Sequence, residues 1–140
     1  MDLTELKSRL HNESYDHLGC ESGPYLLAIF DFRVERVDGI WRVCDTERGE
    51  VVHTHLTTPD ESVACDFWYS RISEKTLFLV GANDRGIIDR LEQELKAAGM
   101  KVWRNDIPQF NGPDDPFYRI FVAGADLLKA KRLIQGVGSP

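Results

Sequence analysis

The sequence predicts an α+β fold, an antiparallel β-meander followed by a mixed βαββα unit, packed as a single compact domain over residues 1–140. Three observations carry this expectation. Residues 25–56 alternate apolar with polar side chains and are cut by tight-turn signals. Residues 58–61 read as a helix start, and from Thr76 onward short apolar runs alternate with helix-period segments. A length of 140 residues suits one domain, and 42% hydrophobic with 10% aromatic residues supplies a core that a disordered chain lacks.

The elements follow in order. Leu3, Leu6 and Leu10 recur at helical spacing and predict a short opening helix. Tyr25 to Val37 reads as one strand, ending at Asp38-Gly39, a dipeptide that supplies positive φ in a hairpin. Ile40 to Cys44 returns, Thr46-Glu47-Arg48-Gly49 turns, and Val51 to Leu56 completes a three-stranded meander. Thr58 as N-cap, Pro59 at the first helical position and Glu61 three residues after Thr58 form a capping box, opening a helix to about Ile72. Val63, Phe67 and Ile72 give that helix an imperfect apolar stripe, widened by Ala64, Cys65 and Trp68. Thr76 to Gly81 is a strand, and Asn83 or Asp84 caps a helix whose face is Ile87, Ile88, Leu91, Leu95 and Ala98, with Gly99 as its stop. Met100 to Trp103 is a strand, Asn105 to Pro116 a loop, Phe117 to Val122 a strand and Asp126 to Ile134 a closing helix. The first dozen or so residues and the last few are expected to be peripheral.

Charge bounds the function. With 17 Lys and Arg against 23 Asp and Glu the net charge is −6, which disfavours direct nucleic-acid binding, a process that needs cations to neutralise phosphates. An acidic chain favours a basic partner. No apolar run reaches the roughly 18 residues of a membrane span, and Met1 to Glu5 lacks the basic start of a signal peptide, so a soluble cytoplasmic protein with no membrane contact is expected. Cys20, Cys44 and Cys65 are widely spaced without a Cys-x-x-Cys pair and read as reduced, buried thiols.

Catalytic signals are weak, and the chain is expected not to be an enzyme. No Gly-x-Ser-x-Gly elbow nominates a nucleophile, and the adjacent carboxylates Asp60-Glu61 and Asp114-Asp115 cannot converge as acid and base merely by being neighbours. Two features keep an alternative open, a small-ligand or metal-binding domain. His53 and His55 flank Thr54, so a strand places both imidazoles on one face, with His11, His17, Cys44 and Asp45 available by composition as further ligands. Gly81 and Gly86 have phosphate-loop spacing after a strand, but Ile87-Ile88 stand where Lys and Ser or Thr would contact phosphate and Mg²⁺. Neither pattern is complete, so no cofactor and no metal are expected.

The loop from Asn105 to Pro116 is the most unusual segment. Three prolines stiffen it, Asp106, Asp114 and Asp115 have no Lys or Arg among them, and Ile107 and Phe110 offer apolar contact. One reading is a crossover pinned to the core. The other is a rigid acidic lip for a cationic protein surface, binding with little entropy loss and fast association. Trp41, Trp68, Trp103, Tyr69, Phe110 and Tyr118 add aromatic side chains of the type that anchor interfaces, although each also suits a core. Asp106, Phe110, Asp114, Asp115 and Trp103 are the candidate partner-binding residues. Acid is concentrated in residues 1–76 and in this loop, whereas the last helix, with Lys129, Lys131 and Arg132, is basic.

Three stretches resemble a known group. They are Trp41-Arg42-Val43 through the Glu47-Arg48-Gly49 turn, the helix Asp60 to Ile72 with its Ala64-Cys65 pair, and Arg104 to Pro108 together with Gly112 to Val122. Across about residues 41–125 the chain resembles small bacterial immunity proteins, the antidotes of contact-dependent and other polymorphic toxin systems. The resemblance implies a non-enzymatic antitoxin that binds one cognate toxin domain in the cytoplasm and neutralises it by protein–protein contact. Such toxins are often directed at nucleic acid and therefore basic. No contact residue carries over, because different antidotes use different faces.

Overall fold

The computed structural model describes residues 1–13, 15 and 20–137. The described chain is α+β, and it forms two compact units, Met1–Ile72 and Ser73–Pro140, each with its own sheet. No helix among the described residues is long and apolar enough to cross a membrane.

In the first unit, α1 (Leu3–Asn12) is capped by the Asp2 carboxylate, which accepts from the Glu5 amide, and it buries Leu3, Leu6 and Leu10. The N-terminal helix is therefore part of the core rather than peripheral. The meander has five strands in sequential order, β1 (Cys20–Gly23), β2 (Leu26–Ile29), β3 (Phe32–Val37), β4 (Ile40–Glu47) and β5 (Glu50–Thr58), all antiparallel. The segment from Tyr25 to Val37, expected as one strand, is a hairpin that turns at Phe30-Asp31, with Phe30 at φ +52°. Its apolar alternation passes through the turn unbroken, which hid the reversal. Leu27, Val34 and Val43 stand in register and are buried. Two bulges separate β4 from β5, between Val43 and Cys44 and between Asp45 and Thr46, and they interrupt the regular ladder on this exposed edge.

The second helix, α2 (Glu61–Glu74), buries Ala64, Cys65, Trp68 and Ile72, while Val63 is exposed. Trp68 is fully buried, lies parallel to Phe32 at 5.6 Å between ring centroids and donates its indole N–H to the Phe32 carbonyl at 3.3 Å. The expected capping box is replaced. Asp60 accepts from the Ser62 and Val63 amides, Thr58 accepts from the Asp60 amide, and Glu61 is drawn away to accept from the Leu3 amide at 3.0 Å. Tying the start of α2 to the start of α1 takes the glutamate that a box would need. Burial pushes the Cys65 thiol up to about 12 and raises Cys44 also, so both are inert as nucleophiles.

In the second unit β6 (Thr76–Ala82), α3 (Arg85–Ala97), β7 (Val102–Ile107), β8 (Phe117–Ala123) and α4 (Leu127–Val137) follow the expected β-α-β-β-α order. The sheet order is β6-β8-β7 and both pairings are antiparallel, so the crossover through α3 leaves a gap that β8 fills. Asp84 caps α3 by accepting from the Ile87 amide at 3.3 Å, and Gly99 at φ +86° ends it. Ile88, Leu91 and Leu95 are buried with Leu77, Leu79, Ile120, Val122 and Leu127, while Ile87 is exposed. The expected loop from Asn105 is shorter at its start, because Asn105–Ile107 belong to β7.

Among the described residues three buried side-chain polar atoms lack a hydrogen-bond partner, Nε of Arg33, Nε of Arg42 and the hydroxyl of Tyr15. Tyr15 is 1% exposed, and its hydroxyl lacks a hydrogen bond; burial, with Tyr69 and Glu13 nearby, pushes its pKa far above the usual phenol value. Tyr15→Phe removes the unsatisfied hydroxyl and should raise stability by about 1 kcal/mol, a gain of about 3 °C in Tm. Thermal and urea unfolding check this; a loss of stability would show that the hydroxyl has an acceptor.

Candidate partner-binding surface

The second unit's sheet has two chemically distinct faces. Along β7, Val102, Arg104 and Asp106 alternate with Trp103, Asn105 and Ile107. Arg104 reaches Asp89 and Glu92 of α3, so its face is the one that the helix covers. The opposite face carries Trp103, Phe121 and Phe78 in one cross-strand row, with Phe78 and Phe121 edge to face at 5.8 Å. Lys101 sits over the Trp103 ring at 5.2 Å and Arg119 over Phe121 at 5.4 Å. Further along the same face, Phe117 pairs with Ile107.

Phe117 links this face to the loop. It lies so close to Gly81 that a Cβ there would stand 2.5 Å from its ring. Phe110 stacks on Phe117 at 5.0 Å with 29° between ring planes. The loop from Pro108 to Pro116 closes on itself through Phe110 N–H to the Asp115 carbonyl at 3.0 Å and Asp115 N–H to the Gly112 carbonyl at 3.3 Å. Asn83, just beyond β6, donates its side-chain amide to the Asp115 carboxylate at 2.8 Å. Despite this anchoring Phe110 is 52% exposed and Asp114 is exposed.

The five residues expected to bind a partner therefore divide. Phe110, Asp114 and Asp115 form one lip, and Trp103 lies on the sheet face that Phe117 joins to it. Asp106 is separate. Both of its carboxylate oxygens are held by Arg104, at 3.0 and 3.2 Å, and Arg104 also donates to Asp89 at 2.9 Å and Glu92 at 2.7 Å. One guanidinium thus binds three carboxylates, and the charge of Asp106 is spent inside the unit. Sequence reasoning missed Phe117 and weighed Gly81 only for phosphate, although a glycine inside a strand signals a close approach of another group. Trp41 and Trp68, also weighed as interface anchors, are core residues.

Neither feature of the alternative ligand site assembles further. The His53 and His55 rings do share a face, 4.5 Å apart, but His55 Nε2 is 2.9 Å from Asp45, and among the described residues no group of three or more His, Cys, Asp or Glu is placed to hold a metal. His17 lies outside the described residues. At the Gly81–Gly86 turn the α3 N-terminus is occupied by the Asp84 carboxylate, which would repel phosphate, and Gly81 serves the Phe117 packing.

The Arg104 cluster yields a pH prediction. Partial burial opposes the charge of Glu92, but hydrogen bonds from Lys96 and Arg104 outweigh it and hold the carboxyl below its ordinary 4.5; the same carboxylates outweigh burial at Arg104 and hold its guanidinium above the usual range. A depressed carboxyl stabilises the fold above its unfolded pKa, and that stability is lost as pH falls through the folded value. Arg104→Met leaves three carboxylates facing one another and should cost about 1–2 kcal/mol at neutral pH. The deficit against the parent should shrink below pH 4.5 as the carboxylates protonate. Urea unfolding across pH measures it; a deficit independent of pH would show that packing, not charge, is what Arg104 supplies.

No family model, no curated protein and no solved structure matches the chain.

Proposed function

We propose that this chain is an immunity protein that binds one cognate bacterial toxin domain of basic charge in the cytoplasm and neutralises it by contact, without catalysis. The observation that carries the reading is the lip at residues 108–116. There Phe110, an exposed aromatic side chain, is held in one orientation beside Asp114 and Asp115, with no Lys or Arg in the segment. A preordered aromatic anchor next to uncompensated carboxylates suits a cationic protein surface, because the ordering cost is met within the free protein and charge steers the encounter. The net charge of −6 and the resemblance of residues 41–125 to immunity proteins point the same way. Trp103 and the adjoining aromatic face extend the contact surface beyond the lip.

The test takes the C-terminal domain of a large secreted toxin, should one be encoded beside this protein, for calorimetric titration and growth-protection assay. Phe110→Ala should weaken binding by about 2 kcal/mol, roughly thirtyfold, with little change in Tm. Asp114→Asn, which alters charge without touching the Asn83 bond, should slow association several-fold at low salt, and the difference should vanish as screening shortens the Debye length below about 5 Å. Failure to bind or protect rejects the antitoxin reading. Binding unaffected by either substitution rejects the lip as the contact.

A further inference from the structure

A second site lies in the first unit. A cleft of about 330 Å³ opens between the start of α1, the β1–β2 turn, β3 and β4, with Lys7, Tyr25, Arg36, Trp41 and Glu61 in its wall. That volume is at the lower end of small-ligand pockets, which run from about 300 to 1,000 Å³. Arg36 and Trp41 are direct neighbours across β3 and β4, and Trp41 is 5% exposed in the cleft wall. Tyr25 is exposed, and the Arg36 guanidinium lies 5.5 Å from its ring centroid; the Arg36 amide donates to the Tyr25 carbonyl at 2.9 Å, which fixes the turn against the strand.

The charges in this wall are unbalanced. Lys7 donates one ammonium hydrogen to the Gly23 carbonyl at 2.6 Å, leaving two for another acceptor. Neither half-buried Lys7 nor exposed Arg36 makes an ion pair among the described residues, whereas the half-buried Arg33, Arg42 and Arg104 do. Glu61 is the one carboxylate among the residues lining the cleft, and one of its oxygens is occupied by the Leu3 amide at 3.0 Å. The cleft thus holds two cations against a single engaged carboxylate, in a protein whose net charge is −6. Lys7 and Arg36 line this cleft together with the aromatic rings of Tyr25 and Trp41.

We infer that this cleft binds a small anionic ligand, its carboxylate or phosphate held by Lys7 and Arg36 and its flat apolar body lying along Tyr25 and Trp41. Guanidinium and ammonium together suit either oxyanion, and the aromatic wall selects for a body attached to it. The site does not depend on the antitoxin reading, since none of its residues belongs to the lip.

Phenyl phosphate, benzoate, inorganic phosphate and phenol, titrated into the full chain while Trp fluorescence and calorimetric heat are followed, decide the matter. Saturable binding is expected for phenyl phosphate, benzoate or both, about tenfold tighter than for inorganic phosphate or phenol. The two aryl anions separate the phosphate from the carboxylate source. Arg36→Gln should weaken the bound aryl anion about tenfold while leaving Tm within a degree or two, since it removes only an exposed cation. Lys7→Gln should do the same, with its Tm measured because it also loses the Gly23 bond. Absence of saturation by both aryl anions up to about 10 mM, or an unchanged affinity in Arg36→Gln, overturns the inference.

Discussion

The approach of Phe117 to Gly81 is the constraint on which the proposed surface depends. A side chain at position 81 would occupy the space of the Phe117 ring, so the absence of a Cβ is what lets that ring settle over β6. Phe110 then stacks on Phe117, and Asn83, two residues past Gly81, takes the Asp115 carboxylate. Both ends of the 108–116 loop are thereby referred to one end of β6. A loop with three prolines has little freedom to lose, and these contacts remove most of what is left. The chemistry offered to a partner, an aromatic ring with two carboxylates beside it, follows from one glycine in a strand.

Electrostatics explains why the lip stands out in an acidic chain. Part of the acid is matched within its own unit. Glu35 is buried between Arg33 and Arg42, Glu13 meets Arg9 and the Tyr69 hydroxyl, Asp66 meets the N-terminal ammonium, and Arg104 gathers Asp89, Glu92 and Asp106. Such pairs mute the field at a distance, because each carboxylate is countered within a few ångströms. Asp114 and Asp115 are not countered by a cation in their loop, so their potential reaches solvent. Net charge alone favours a basic partner in general; at the lip, unpaired carboxylates stand beside an anchored aromatic ring.

Much of the architecture was legible in the sequence because periodicity and punctuation agreed. Leu3, Leu6 and Leu10, the Asp38-Gly39 and Arg48-Gly49 turns, Asp84 at the start of α3 and Gly99 at its end all carried local signals that packing then reinforced. The failures share a cause. Phe30-Asp31 makes a turn without Gly, Pro or Asn, so a hairpin looked like one strand, and the capping glutamate at position 61 was taken by a partner 58 residues away. At the surface, the grouping of Phe110, Asp114 and Asp115 followed from loop composition, whereas the withdrawal of Asp106 required knowing that Asn105–Ile107 are strand and that alternation turns Asp106 toward Arg104 and α3. Long-range partners, not local propensity, decided each of these cases.

Hydrogen–deuterium exchange of this protein, free and with the toxin domain bound, tests the proposed surface most directly because it requires no substitution. Slowed exchange should concentrate in residues 108–117 and along the Trp103 and Phe121 strands, over a loop whose Phe110 and Asp115 amides are already hydrogen-bonded in the free protein. Protection confined to the first unit, with 108–117 unchanged on binding, would contradict it.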